Sequence, residues 1–371
     1  MTELLVSGVG GVILSVTLAV IILLFMICIH EAGHFIAGRI LGFKINEFAI
    51  GFGPKIFKRK GKKRGTVFSV RAFPLGGFCA FDGEDGEGSS PNAFNNKKPW
   101  QRIIVLISGA LMNYLVAVIL IIAGFFAFGQ PCYKMGAIAL SEDYSAVYSL
   151  QEGDVILSAE GKSVYFGADL IYALNGKSAG DTAKIEVLRG GGRTMAEVVL
   201  RSDCHFKNSS EISKLWRALG SDTYEGEDGN LYWCVTAENC RFSFFETLGR
   251  AFAYSFKLAG TIFKVLGELL TGNLGLSAMG GPVTTIKVTG QMASQGVQSF
   301  LQVAAYIGVN LAVFNLLPIP ALDGSKVVFC LIEWLFKKPV PRKVEAVIHA
   351  VGFVLILAFA VLVDILQFAK C

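Results

Sequence analysis

Residues 6 to 29 contain no charged side chain, and the run leads directly into His30-Glu31-Ala32-Gly33-His34. A helix of that length spans a hydrocarbon core of about 30 Å. On a helix His30 and His34 lie one turn apart on one face. Two imidazoles so placed can hold one zinc ion, and Glu31 can reach a water on that ion. Ionisable residues at membrane depth are costly and mark function. The plainer alternative is a pair of interfacial histidines at a helix end. A signal peptide is not expected: no basic residue precedes the run, the run is too long, and its end carries the His/Glu cluster.

Composition points the same way. The 371 residues are 53% hydrophobic and only 17% charged, against about 25% charged in a soluble domain. The net charge of +5 gathers at the ends of apolar runs, which argues for membrane topology and against nucleic-acid binding. The eight cysteines form no C-x-x-C pair, which argues against a cysteine zinc site or a thioredoxin-like motif. Cys132, Cys204, Cys234 and Cys240 fall in a polar stretch where pairing is open in an oxidising compartment.

Further apolar runs predict a second span at 103–128, a third starting near 300, and a last one at 344–365. Between the first two, 42–71 reads as β-hairpin material, with turn signals at Gly51-Phe52-Gly53-Pro54 and Lys60-Gly61. It carries the basic run Lys55, Lys58, Arg59, Lys60, Lys62, Lys63 and Arg64. Lys337, Lys338, Arg342 and Lys343 form a second basic cluster. Both clusters belong in the cytoplasm by the positive-inside rule, which puts both termini and the polar stretch 131–241 outside. Gly76-Gly77 on a strand predicts close backbone approach by another chain. The acidic, Gly-rich tract 82–90 reads as a mobile loop. Within 131–202 the pattern is strand, turn, strand around 150–164, a short helix at 169–175, and two strands flanking Gly190-Gly191-Gly192. Residues 203–241 show no clear period and read as a cysteine-containing insert. In 242–270 the charges Glu246, Arg250, Lys257, Lys264 and Glu268 recur at spacings of four and seven, the mark of an amphipathic helix on a membrane surface. A second, weaker helix follows Gly281-Pro282. These boundaries define five regions: a membrane core at 1–130, a sheet domain at 131–202, the insert at 203–241, surface helices at 242–296, and a second membrane core at 297–371.

The third span is broken. Asn315-Leu316-Leu317-Pro318-Ile319-Pro320-Ala321-Leu322-Asp323-Gly324 places two prolines and a carboxylate inside an apolar run. Pro318 and Pro320 remove backbone donors, which a span tolerates only against protein or a watery cavity. A catalytic zinc takes three protein ligands and keeps one position open. Asp323 is the best-placed third ligand, since Glu333 sits beside the basic cluster and Asp364 near the opposite face. The plainer role for Asp323 is an N-cap of the resumed helix. His349, one turn into the last span, reads as a satisfied helix-end histidine. Glu31 is then the general base. Asn113 in the second span and Asn315 are both candidates for transition-state support, with helix packing an equal alternative for Asn113. The Gly76-Gly77 edge or the segment opened by Pro318 and Pro320 is suited to clamping an unwound peptide by β-addition.

These motifs resemble the site-2 protease family of intramembrane zinc metalloproteases, and more closely the bacterial regulator-of-sigma-E protease group. The likeness covers nearly the whole chain. It rests on His30-Glu31-Ala32-Gly33-His34, Gly51-Phe52-Gly53-Pro54, Pro74-Leu75-Gly76-Gly77, Ala93-Phe94-Asn95-Asn96, Ser108-Gly109 with Asn113, Gly281-Pro282, and the Asn315–Gly324 stretch. The resemblance implies Zn2+ on His30, His34 and Asp323 with Glu31 as base. It implies four transmembrane helices, a membrane-reentrant β-loop and an extracytoplasmic mixed α/β PDZ-like domain. It also implies a multi-pass protein of the bacterial inner membrane whose active site lies toward the cytoplasm. Its substrates would be single-span membrane proteins already trimmed by a site-1 type protease, such as anti-sigma factors, and signal-peptide remnants. Membrane lipid is the other implied partner. One PDZ-like domain is apparent where the best-known members have two.

Two other readings stand beside the protease. One is a non-catalytic membrane scaffold whose PDZ-like domain does the binding. The other is a metal transporter, which would show internal repeats and several broken helices, whereas one broken span is seen.

Overall fold

The computed structural model describes residues 9–62, 65–84, 88, 90–136, 150–207, 211–221, 223–225, 231–273 and 280–368. Lys63, Arg64 and part of the acidic tract 82–90 lie outside them. The chain divides into two compact units.

The first unit comprises residues 1–123, 258–263 and 275–371. It opens with helix α1, Val9–Ile40, which carries the apolar run and the His/Glu motif without interruption. Two long strands follow, β1 (Ile45–Lys60) and β2 (Val67–Phe81). They pair in a curled rather than a simple hairpin: residues 47–50 have partners both in 77–80 and in 67–70, and 57–60 pair with 67–70. The predicted turn at Gly51-Phe52-Gly53-Pro54 is therefore a kink inside β1. Gly51 and Gly53 take φ of +84° and +83° there, the left-handed region that glycine enters without steric cost. At the start of the acidic tract, Asp82 is fixed by a backbone bond to Lys44, and Glu84 by an ion pair to Lys326 of 2.7 Å.

Helix α2, Pro99–Phe128, begins in the first unit and ends in the second. The second unit comprises residues 124–257 and 264–274. It contains β3 (Gln130–Met135), β4 (Val155–Ala159), β5 (Lys162–Ser163), α3 (Gly167–Leu174), β6 (Thr182–Arg189), β7 (Gly192–Val199), α4 (Ile212–Ala218), β8 (Thr223–Glu225), β9 (Leu231–Trp233) and β10 (Val235–Cys240). The main sheet is antiparallel in the order β10-β3-β4-β6-β7, with β5 beside β4. The β6–β7 turn is the two-residue Gly190-Gly191, with φ of +55° and +84°. Positive φ at both positions matches the twist of the strands it joins. Gly192 is a strand residue opposite Arg189.

Alternation along β4 sends Ile156 into the main core with Leu170, Leu174, Ile185 and Val187, and sends Val155 and Leu157 to the other face with Cys132 and Cys240. Residues 203–241 are part of this unit and do not stand apart as an insert. Cys204, Leu215 and Trp216 fill the main core, and β10 pairs with β3. That pairing joins residues about a hundred positions apart, so nothing local in the sequence announces it. The described cysteines are free thiols.

Helix α5, Phe244–Leu270, follows as the amphipathic pattern predicts. Within the second unit its Lys257 pairs with Asp169 at 3.1 Å, and Tyr172 donates to Glu268 at 2.8 Å.

The remaining elements return to the first unit: α6 (Pro282–Ala293), α7 (Val297–Leu316), α8 (Asp323–Phe336) and α9 (Arg342–Phe368). Helix α6 lies against α1 so closely that a Cβ on Gly290 would stand 2.1 Å from the Ser15 carbonyl oxygen. Its first turn is capped from α9, where Asp364 accepts the Val283 N–H at 3.1 Å. Among the described residues, four helices are long and apolar enough to cross a membrane: α1, α2, α7 and α9. On α9 Val347, Val351, Phe353, Val354 and Leu355 are all exposed, an apolar surface suited to lipid.

Two outcomes are expected of this fold. Glu47 joins the halves of the curled sheet, accepting from Ser69, Lys55 and Arg71. Burial alone would push its carboxyl up, but those three bonds outweigh it and hold it at about 2, against about 4.3 in an unfolded chain. A depressed carboxyl stabilises above the unfolded value and loses that contribution as pH falls through the folded one. The protection of β1 and β2 amides relative to their intrinsic exchange rates should therefore fall from pH 5 toward pH 2 in the wild type, and Glu47→Gln should flatten the trend. In the second unit, Asp154 is fully buried and held by Arg189 through two bonds of 2.7 Å. Arg189→Leu strands that carboxylate and should destabilise the unit by about 3 kcal/mol, the low end for a broken buried pair, because the Gln151 N–H at 2.8 Å still serves it. Chemical denaturation followed by the unit's tryptophans measures this.

Candidate active site

One turn of α1 places His30 and His34 on the same face, where the rings meet edge to face with centroids 4.7 Å apart. The residue that meets them comes from 293 positions away in the sequence. Asp323 Oδ2 is 2.9 Å from His30 Nε2 and 3.2 Å from His34 Nε2, and the two Nε2 atoms are 3.1 Å apart. His30, His34 and Asp323 are the one group of potential metal ligands among the described residues.

A tetrahedral zinc with nitrogen and oxygen donors at about 2.0–2.2 Å sets those donors about 3.3 Å from one another. The observed triangle is close to that size, and two imidazoles with one carboxylate form a borderline donor set that suits Zn2+. The residues present therefore fit the metal. His34 Nδ1 donates to the Val105 carbonyl at 2.8 Å, which leaves the Nε2 lone pair directed at the triangle. His30 Nδ1 is buried without a hydrogen-bond partner among the described residues.

The break after α7 delivers Asp323. Leu317 turns the chain into an extended conformation, and α8 begins at Asp323 with no side-chain cap. The aspartate therefore does not serve as the N-cap; its carboxylate points to the histidines. Gly324 allows the turn to close, since a Cβ there would lie 2.2 Å from the Leu317 carbonyl oxygen. Pro320 packs on Gly352 of α9, where a Cβ would lie 2.2 Å from it.

Two glycines let α1 and α2 approach at the motif. A Cβ on Gly33 would meet the Ser108 carbonyl oxygen at 2.3 Å, and one on Gly109 would meet His34 Nε2 at 2.4 Å. The small residues of the second span are thus the floor of the donor triangle. Asn113 lies one turn beyond Gly109, fully buried, with both amide atoms lacking a partner among the described residues. Asn315 sits half-buried in the last turn of α7, and no hydrogen bond joins it to the triangle among the described residues.

Glu31 stands beside the triangle on the same helix. The backbone N–H of Cys79 on β2 donates to its carboxylate, and a Cβ on Gly77 would lie 3.5 Å from its Cγ. The close approach foreseen for Gly76-Gly77 is thus made to helix α1, to Ala49 across the sheet, and to Phe52, whose ring covers Gly76. Sequence reasoning missed the Val105 carbonyl and the Cys79 N–H. Both are backbone groups, and no residue type signals them.

The model of peptidase family M50 matches residues 18–359. A provisionally named zinc metalloprotease of Clostridium perfringens is 32% identical, over 92% of this chain and 94% of its own length. A second such protein, from Nostoc, is 32% identical over 94% of each chain. A third, from Clostridium acetobutylicum, is 29% identical over 95% of this chain and 96% of its own. With four apolar helices among the described residues and a match that spans nearly its whole length, the chain belongs to peptidase family M50, the site-2 protease family of membrane zinc metalloproteases, and Zn2+ is its metal.

Proposed function

We propose that the protein is an intramembrane endopeptidase whose zinc is held by His30, His34 and Asp323 and whose general base is Glu31. The observation that carries this is the donor triangle with a carboxylate beside it, carried on an apolar helix. Bound zinc supplies Lewis acidity toward the scissile carbonyl and makes water more acidic. Glu31 takes the proton of the attacking water and passes it to the leaving amine nitrogen. The Cys79 N–H holds that carboxylate in place. Asn113, with two buried unpartnered amide atoms, is suited to donate to the developing oxyanion, and Asn315 is the alternative donor.

A transmembrane helix hides its peptide bonds in internal hydrogen bonds, so the substrate must unwind before it is cut. Residues 77–81 pair with β1 along one edge, and Gly77 lies against Ile27 and Glu31 of α1. An extended peptide adding to the other edge of β2 at Gly76 and Gly77 would lie beside Glu31, and the segment opened by Pro318 and Pro320 is the alternative clamp. The substrates in this reading are single-span membrane proteins pre-trimmed by an upstream site-1 type protease, among them anti-sigma factors and signal-peptide remnants. The reaction is then a step of regulated intramembrane proteolysis. The two basic clusters support a cytoplasmic placement of the active site in the bacterial inner membrane, with lipid around it and the sheet unit outside. A six-stranded antiparallel sheet with two short helices among the described residues supports a PDZ-like role for that unit.

Purified protein in detergent should cleave a truncated single-span substrate within its span. Glu31→Gln should lower the rate by about 10²–10⁴-fold while retaining zinc, as read by metal analysis. Failure of the wild type to cut any of several truncated substrates, with zinc bound, would favour the scaffold. Gly109→Val should differ from Glu31→Gln by losing the metal as well as the activity. Its side chain displaces both imidazoles, so zinc content and cleavage should fall together.

A further inference from the structure

The segment that presents Asp323 is not held by its own chain alone. Ala321, two residues earlier, has a φ of +75°, a left-handed conformation that residues with a Cβ disfavour. A single residue keeps such a conformation only where its surroundings fix it. Here the fixing group is on another helix: the Ala321 N–H donates to His349 Nδ1 of α9 at 3.0 Å. The contact is built from both sides. Pro320 seats against Gly352, less than one helical turn beyond His349, where no side chain would fit. The Phe329 ring of α8 meets the imidazole edge to face at 5.8 Å. Nδ1 is the acceptor, so the neutral ring carries its proton on Nε2, on the side of Glu345, 3.9 Å away.

We propose that His349 is a positioning residue for the zinc site: by accepting the Ala321 N–H it locks the left-handed turn that delivers the Asp323 carboxylate to His30 and His34. His349 touches none of the three donors and acts through the backbone. The inference rests on the proposed ligand set. Its reach follows from geometry. If Ala321 relaxes to negative φ, the chain direction changes two residues before Asp323, and the carboxylate loses register with two imidazoles fixed on a different helix. His349 and Ala321 also line a cavity of about 720 Å3 together with Arg102, Lys326 and Glu333. A shorter side chain at 349 therefore opens onto that cavity and leaves the α8–α9 packing largely in place.

The test is zinc affinity of the full-length protein in detergent, measured by competition with a chromophoric chelator, with thermal stability recorded in parallel. His349→Leu removes the acceptor and should weaken zinc binding by roughly 10-fold or more, as loss of a supporting contact around a metal does. His349→Asn places its amide oxygen near the Nδ1 position and should restore most of the affinity. His349→Gln, with its oxygen near the Nε2 position, should not, and it stands in for the leucine variant if that one fails to fold. Ala321→Gly combined with His349→Leu should recover affinity, because glycine takes φ of +75° unaided. Wild-type affinity in a folded His349→Leu protein, or an asparagine variant as weak as the leucine one, would overturn the proposal. Asp323→Asn separates the two levels. If it leaves zinc affinity unchanged, the ligand set itself is wrong. If it weakens binding while the leucine variant does not, only the positioning role fails.

Discussion

The structure depends on how closely two apolar helices can approach at one level. Helix α1 brings two imidazoles, and α2 must pass beneath them without a side chain in the way. Gly33 and Gly109 meet this condition from opposite sides: each has a neighbouring atom where its Cβ would stand. The same approach brings the Val105 carbonyl within 2.8 Å of His34 Nδ1. One close contact thus makes room for the metal donors, orients one ring, and satisfies a polar atom that burial would otherwise penalise.

The other functional groups reach that level by breaking regular structure. Asp323 arrives because α7 ends and a Pro-Ile-Pro segment turns the chain. Glycines under Leu317 and Pro320 let the turn pack without a gap. Glu31 is steadied by a strand of a curled sheet whose kink at Gly51 and Gly53 allows residues 47–50 to have partners in both halves of β2. Each irregularity is local and each is stabilised from a different element, so the geometry of the site is distributed over α1, α2, β2, the α7–α8 break and α9. A change far from the donors in sequence can therefore reach them through backbone direction alone.

How legible this was depended on whether a signal was local. His30, Glu31 and His34 sit within five residues at helical spacing, and the pattern alone placed them together. Asp323 could be picked out because a carboxylate in an apolar run is expensive. The long helices followed from uninterrupted hydropathy, and the Gly190-Gly191 hairpin from its turn chemistry. What was not legible involves partners without side-chain identity or neighbours distant in sequence. The Val105 carbonyl and Cys79 N–H belong to every residue type. The pairing of β10 with β3 has no local mark, so residues 203–241 read as an insert when they are part of the sheet unit. By its sequence His349 is a satisfied helix-end histidine. It does have a partner, but the importance of that partner lies in the strained φ of Ala321, which no sequence pattern encodes.

Stability alone gives no reason to keep this cluster. Replacing a buried set of charged and polar groups by well-packed apolar residues is often neutral or stabilising. A scaffold built on these helices would lose nothing by carrying leucines at 30, 34 and 323. Instead the chain keeps three donors in a triangle of metal size and a separate carboxylate held by a backbone N–H. It also keeps a broken helix and two glycines that trade packing for proximity. A transporter would keep the donors but has no use for a fourth group poised beside them. It would also move its site between two sides of the membrane through repeated broken helices, whereas the one break among the described apolar helices serves to fix a single carboxylate in place. The combination of a fixed metal site and an adjacent base is what hydrolysis requires, and its irregular supports are intelligible as the cost of holding that chemistry in place.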